Sequence, residues 1–169
     1  MQIRRYTFDC CSGFTEVVDL FPTQAASWCR GGVVKITEGP TEVAIPKLIP
    51  IAREEGYHTD QIGNCDNGPY VGFEMFLDRP IAVLHIFDSN GQYQRTESWD
   101  ANNGDDPRSA LADAIAALPN PKPGDVKVST FSEELFDLTF GLIPDGNDHV
   151  EYVPYGLGFD PPWDGLYDT

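Results

Sequence analysis

Residues 81–87, Ile81-Ala82-Val83-Leu84-His85-Ile86-Phe87, are apolar at both alternating sets of positions, with His85 the one polar side chain. A strand with a wet face alternates apolar and polar residues, so a run of this kind predicts a central strand covered on both sides. Whatever fold the chain adopts must therefore contain a sheet with two dry faces. The neighbouring runs Tyr70–Leu77 and Gln92–Trp99 are rich in aromatic and β-branched residues and are set off by Asp78-Arg79-Pro80 and Ser89-Asn90-Gly91. Asn90-Gly91 is a two-residue hairpin signal, because a type I′ turn needs positive φ at both central positions. A three-strand antiparallel meander over residues 70–99 follows, with Thr96 opposite His85 and the outer strand, carrying Gln92, Gln94, Arg95 and Glu97, more exposed.

A helix is expected from about Pro107 to Leu118. Leu111, Ala114, Ile115 and Leu118 form one apolar stripe, Pro107 suits the first helical position, and Asp105 or Asp106 can accept from its exposed amides. The run from Pro119 to Gly124 ends it as a stiff connector. Further strands are read at Val126–Phe131, Leu135–Ile143 and Val150–Val153. Nearer the start, Ile3, Tyr6 and Phe8 mark a strand, and residues 14–21 a short helix limited by Pro22. Residues 33–37 and 42–45 read as strands about Gly39-Pro40, and 46–55 as a helix kinked at Pro50. Residues 58–69 are a loop by composition. The fold class is α+β: a single domain over 1–154 with a mainly antiparallel sheet and the 107–118 helix packed on it, followed by an irregular segment, 155–169.

The chain of 169 residues has a formal net charge of −16. The charge is uneven: residues 1–99 hold 13 Asp and Glu against 8 Lys and Arg, whereas residues 100–169 hold 14 against 3. Such a field repels nucleic acid and anionic membranes and attracts cations and basic proteins, so no nucleic-acid or membrane partner is expected. The first residues lack the apolar run of a secretory signal, and no stretch is long and apolar enough to span a bilayer, which makes a cytoplasmic location the expectation. Cys10, Cys11, Cys29 and Cys65 are then reduced thiols. Their spacing does not match a zinc site, and no metal or cofactor is assigned.

Candidate chemistry is sparse. G-x-x-x-x-G-K-[ST], G-x-G-x-x-G, G-x-S-x-G and H-E-x-x-H are all missing from the sequence. The run Asp100 to Asp106 fails as a calcium loop, since Gly104 is fifth and Leu111 stands in the twelfth place. His85 is the first place to seek a base, but a buried imidazole satisfied by a hydroxyl accounts for it equally. His58, Asp60, Cys65 and Asp66 include a possible thiolate and base, yet turn chemistry explains the same residues. His58, Cys65 and His85 thus form an alternative site, for a small-molecule enzyme or ligand-binding protein.

The feature given most weight is the tail. Leu157, Phe159, Trp163, Leu166 and Tyr167 are too apolar to lie idle, and Asp160, Asp164 and Asp168 alternate with them. Trp163 and Tyr167 can anchor in a partner while the three aspartates pair with Lys or Arg, or the aromatics can pack on their own domain. The leading expectation is an acidic protein-binding module, an inhibitor or immunity-type protein that neutralises a basic toxin or nuclease. A structural homo-oligomer is the third reading.

Overall fold

The structure is a computed structural model of the chain, describing the backbone of residues 4–9 and 15–20 and, with side chains, residues 44–75, 79–146 and 148–169. By its internal contacts the chain divides into two compact units, Met1–Val43 and Ala44–Thr169.

In the first unit β1 (Arg4–Asp9) and β2 (Thr15–Leu20) form an antiparallel hairpin with Tyr6 opposite Val18. The opening strand is as expected. The helix expected over residues 14–21 is not: the segment is a strand. Thr15, Val17 and Val18 are stiff β-branched residues, and a partner strand only a few residues away outweighs a helical spacing of four apolar side chains. The strand expected at 33–37, the turn at Gly39-Pro40 and Cys10, Cys11 and Cys29 lie outside the described residues, as does the start of the 42–45 strand. Ala44 and Ile45 are not in a strand.

The second unit is mostly antiparallel sheet with one α-helix among its described residues. Its strands are β3 (Ile49–Ile51), β4 (Ile62–Cys65), β5 (Gly68–Met75), β6 (Ile81–Phe87) and β7 (Tyr93–Asp100), then α1 (Pro107–Ala117). After the helix come β8 (Lys122–Pro123), β9 (Val126–Val128), β10 (Phe131–Leu135), β11 (Leu138–Pro144), β12 (Val150–Val153) and β13 (Leu157–Phe159). They make a five-stranded sheet in the order β7-β6-β5-β4-β8, a four-stranded sheet β10-β11-β12-β13, and a pair β3-β9.

The meander is present as β5-β6-β7, and every residue of β6 is buried. Alternation sends Ala82, Leu84 and Ile86 to one face, where they pack with Tyr70 against Leu111 of α1 and the partly buried Ala114, Ile115 and Leu118. Ile81, Val83 and Phe87 go to the other, joining Val71 and Phe73 against the inner residues of the four-stranded sheet and of β3-β9. Each fully buried Val, Leu, Ile or Phe among them contributes roughly 1.5–3 kcal/mol by leaving water. Asp106 is the helix N-cap, its carboxylate accepting from the Ser109 amide at 3.4 Å and hydroxyl at 2.8 Å, which holds it below the usual carboxylate range.

The β6-β7 hairpin has the expected register, His85 opposite Thr96, but not the expected turn. Only Gly91 of the pair has positive φ, at 74°. The Asp88 carboxylate accepts from the amides of Asn90 at 2.8 Å and Gln92 at 2.9 Å, and a register shift at Ile86/Phe87 absorbs the difference.

Elsewhere the chain departs from its local sequence pattern. The 46–55 helix is replaced by β3, whose Ile49 and Ile51 enter the core opposite Val128 and Val126, with Pro50 between them. The 58–69 loop contains β4 and the start of β5, and only Asp66 and Asn67 form the bend. Gly63 reads as a loop residue but permits close packing, because a Cβ there would stand 2.2 Å from the Lys122 carbonyl oxygen. The 126–131 strand breaks at Ser129 and Thr130 to serve two different sheets. The Leu135–Ile143 strand is likewise split, because Phe136 and Asp137 both take positive φ, 56° and 62°, and reverse the chain.

Gly68 closes the β4-β5 hairpin at φ 141°, and a Cβ would meet the Asp88 carbonyl atoms at 2.4 Å. Gly68→Ala should therefore cost at least about 2 kcal/mol in urea unfolding; an unchanged midpoint would show that the backbone there has room to move.

Candidate functional site

Chain reversal at the end of the molecule builds the site. β13 pairs with β12, and the chain then folds back so that the backbone groups of Gly158 and Asp168 bond reciprocally at 2.9 Å. The returning segment is tied down at three places. The Gly165 carbonyl accepts from the Ala52 amide at 2.8 Å, and its missing side chain matters, since a Cβ would lie 2.9 Å from that nitrogen. Trp163 and Tyr167, both half-buried, pack against the main core of their own unit. The Tyr167 hydroxyl donates to Glu54 Oε2 at 3.0 Å; burial and that carboxylate push the phenol up to about 12.

Held in this way, the loop forms an open concavity of about 190 Å³ lined by Gly158, Asp160, Pro161, Pro162, Asp164, Leu166, Tyr167 and Asp168. The structure thus brings together four of the five tail residues singled out in the sequence. Trp163 does not line the cavity. It takes φ 59°, its amide donates to the Asp160 carbonyl at 3.0 Å, and its buried indole nitrogen has no hydrogen-bond partner among the described residues. Asp160, Asp164 and Asp168 are exposed, and Leu166, 68% exposed, stands at the rim. Asp160 accepts from or is paired with His149 Nδ1 at 2.8 Å, and Asp164 accepts from the Leu166 amide at 3.1 Å.

The charge of the segment is one-signed along the chain, although Lys127 lines a large hollow that Asp164 also borders. From Val128 to Thr169 the chain holds nine Asp and Glu and neither Lys nor Arg. Arg79 reaches the β10-β11 turn, lying over the Phe136 ring at 5.1 Å, but its guanidinium is ion-paired with the buried Asp100.

The alternative residues do not meet. His58 is exposed in the wall of a second cavity, beside Tyr57, Asp60 and Glu74. Cys65 lines a third, larger hollow with Asp66 and Asp125, and its thiol donates to the Gly68 carbonyl at 3.2 Å. His85 is fully buried between the two larger sheets. Its Nδ1 lies 2.7 Å from Thr96 Oγ1 and its Nε2 is hydrogen-bonded to the Tyr152 hydroxyl; Thr96 is 2.9 Å from the Tyr93 hydroxyl, which donates to Glu133 at 2.7 Å. One assignment satisfies every group: Tyr152 donates to Nε2, Nδ1 donates to Thr96, Thr96 donates to Tyr93, and Tyr93 donates to Glu133. Such an imidazole is a neutral link between the sheets, with both ring nitrogens bonded and no exposed surface. Among the described residues, no group of three or more His, Cys, Asp or Glu side chains is arranged to hold a metal ion. No described helix is long and apolar enough to cross a membrane. Comparison with protein-family models, with curated proteins and with solved structures finds no match.

Burial pushes the His85 conjugate acid from its ordinary 6.5 down to about 3. Between those values the unfolded chain binds a proton that the folded chain refuses, so stability falls as the pH is lowered through the window, by up to about 1.4 kcal/mol per pH unit. Urea midpoints measured from about pH 7 to about pH 4.5, where carboxylates stay mostly ionised, should drop in the wild type and drop less in His85→Gln. Equal slopes for the two proteins would contradict a buried neutral imidazole.

Proposed function

We propose that the protein is an acidic binding module for a basic protein partner, and that the tail cavity receives a Lys or Arg side chain of that partner. The observation that carries this reading is the convergence of Asp160, Asp164 and Asp168 on one small concavity, in a stretch of chain without Lys or Arg. Carboxylates held on an anchored loop lose little further freedom on binding, and their field speeds the approach of a cationic surface. Leu166 supplies apolar contact at the rim. Of the two parts the sequence allowed Trp163 and Tyr167, packing on their own domain fits their partly buried positions against the core, where they support the shape of the loop. The narrower form of the proposal is an inhibitor or immunity-type protein that masks a basic toxin or nuclease by charge and shape.

A hexa-arginine peptide titrated into the full chain should give saturable NMR shifts centred on Asp160, Asp164, Leu166 and Asp168, with affinity falling steeply as salt is raised. Changing Asp160, Asp164 and Asp168 together to Asn should weaken binding roughly tenfold, in keeping with three exposed ion pairs of up to about 1 kcal/mol each. Shifts spread evenly over the surface and indifferent to the triple change would refute the assignment.

A further inference from the structure

The second cavity, about 420 Å³, opens between the 56–61 turn, β5 and the start of α1. Its construction depends on Gly72, whose amide donates to the Gln61 carbonyl at 2.9 Å and whose Cβ, if present, would stand 3.0 Å from that oxygen. The turn is thereby drawn tightly against the strand, and its side chains meet those of β5. At the back Tyr155 stacks with ring centroids 4.5 Å apart on Phe73, which is itself 4% exposed and also stacked on Tyr152 at 4.3 Å. At the mouth Tyr57 is 53% exposed, with the His58 ring edge-on to it at 4.4 Å. Glu74, only 14% exposed, Asp60 and Arg108 complete the lining; Arg108 pairs with Glu74 at 3.1 Å within it, and Arg53 pairs with Asp60 from outside.

An open tyrosine ring beside partly buried carboxylates, in a protein of net charge −16, selects the charge of its ligand. The lining holds two carboxylates against one guanidinium, so an anion would meet a net negative wall despite Arg108, and a purely apolar ligand would strip water from Glu74 and Asp60 without replacing it. An organic cation gains on both counts, since its charge is attracted to the Tyr57 ring face and to the carboxylates while its methylenes or methyls lie against Tyr57 and the half-buried Tyr155. From this geometry we infer that the 56–61 cavity binds an alkylammonium group, carried either by a free amine or by a lysine side chain of another protein. The site shares no lining residue with the tail cavity and stands whether or not the tail binds a basic partner.

The test uses the full chain followed by NMR during addition of tetramethylammonium, of n-butylammonium, and of neopentyl alcohol as the uncharged counterpart. Saturable shifts at Tyr57, His58 and Glu74 are expected with both cations, at least tenfold weaker with the alcohol. Tyr57→Ala, at an exposed position, should weaken the cations about fivefold or more. Glu74→Gln, read separately, should weaken them too, whereas changing Asp160, Asp164 and Asp168 to Asn should leave their affinity within about twofold, which separates failure of this site from failure of the tail. A lysine-containing peptide that binds at least tenfold more tightly than n-butylammonium assigns the group to a protein side chain; equal or weaker binding assigns it to a free amine. Absence of saturable shifts with either cation, equal response to the alcohol, or indifference to both single changes would overturn the inference.

Discussion

The polar chain from Tyr152 through His85, Thr96 and Tyr93 to Glu133 is the constraint on which the arrangement of the second unit rests. β6 has no wet face, so its one polar side chain must find all its partners inside the protein, and a half-satisfied imidazole there would cost more than an apolar residue. The partners come from β7, from β10 and from β12, which belong to both of the larger sheets. Hydrophobic contact between those sheets is tolerant of small slides. The hydrogen-bond chain is not, because a slip of one residue in β12 would turn Tyr152 to the opposite face and leave His85 Nε2 without a donor. Position along the sheet interface is therefore set by polar groups, while the apolar residues around them supply the bulk of the stabilisation.

That fixed position is transmitted to the tail. Tyr152 stands opposite Leu157 of β13, and Val150 opposite Phe159, so the strand that holds His85 also aligns the last strand before the loop. Gly158 then pairs with Asp168, and the nine residues between them, Phe159–Tyr167, have their ends clamped. Carboxylates crowded on a closed loop repel one another, which favours opening it. Burial of Trp163 and Tyr167 and the Gly165–Ala52 hydrogen bond oppose that tendency. The aromatic and acidic residues of the tail thus divide the labour: the first group keeps the second in a defined concavity.

Sequence pattern disclosed the elements whose signals are local and redundant. The meander, the central strand, the His85–Thr96 pairing and the capped helix each had more than one residue pointing the same way, and each stands in the structure. What it concealed depended on distant partners. Ile49 and Ile51 become a strand because Val126 and Val128 lie beside them, and nothing in residues 46–55 announces those partners. Gly63 and Gly68 carry the composition of a loop, yet serve as points of close approach within strands. The Phe136-Asp137 turn adopts two positive φ values, and although Asp tolerates that region, turn chemistry would not have selected Phe136 for it. At the site, the grouping of Asp160, Asp164, Tyr167 and Asp168 was legible from their shared segment. The direction of Trp163 and the assembly of Tyr57 and His58 with Phe73, Glu74 and Tyr155 were not, since each depends on a fold-back or a strand approach that local pattern cannot specify.

The two proposed cavities would take the same sign of charge and must be told apart by shape. At physiological ionic strength a field is screened over about 8 Å, so the acidity of the protein concentrates cations near its surface without directing them to one hollow. Selection falls to the walls. The tail cavity is rimmed by Pro161, Pro162 and Leu166 and offers three exposed carboxylates, an environment in which a guanidinium can exchange water for several oxygen acceptors. The 56–61 cavity offers aromatic surface with fewer and less exposed carboxylates, which suits an ammonium that sheds part of its hydration against a ring. Charge would bring a basic ligand to this protein, and the difference between a rim of three exposed carboxylates and a pocket with an open tyrosine ring beside arginine-paired carboxylates would decide where it stays.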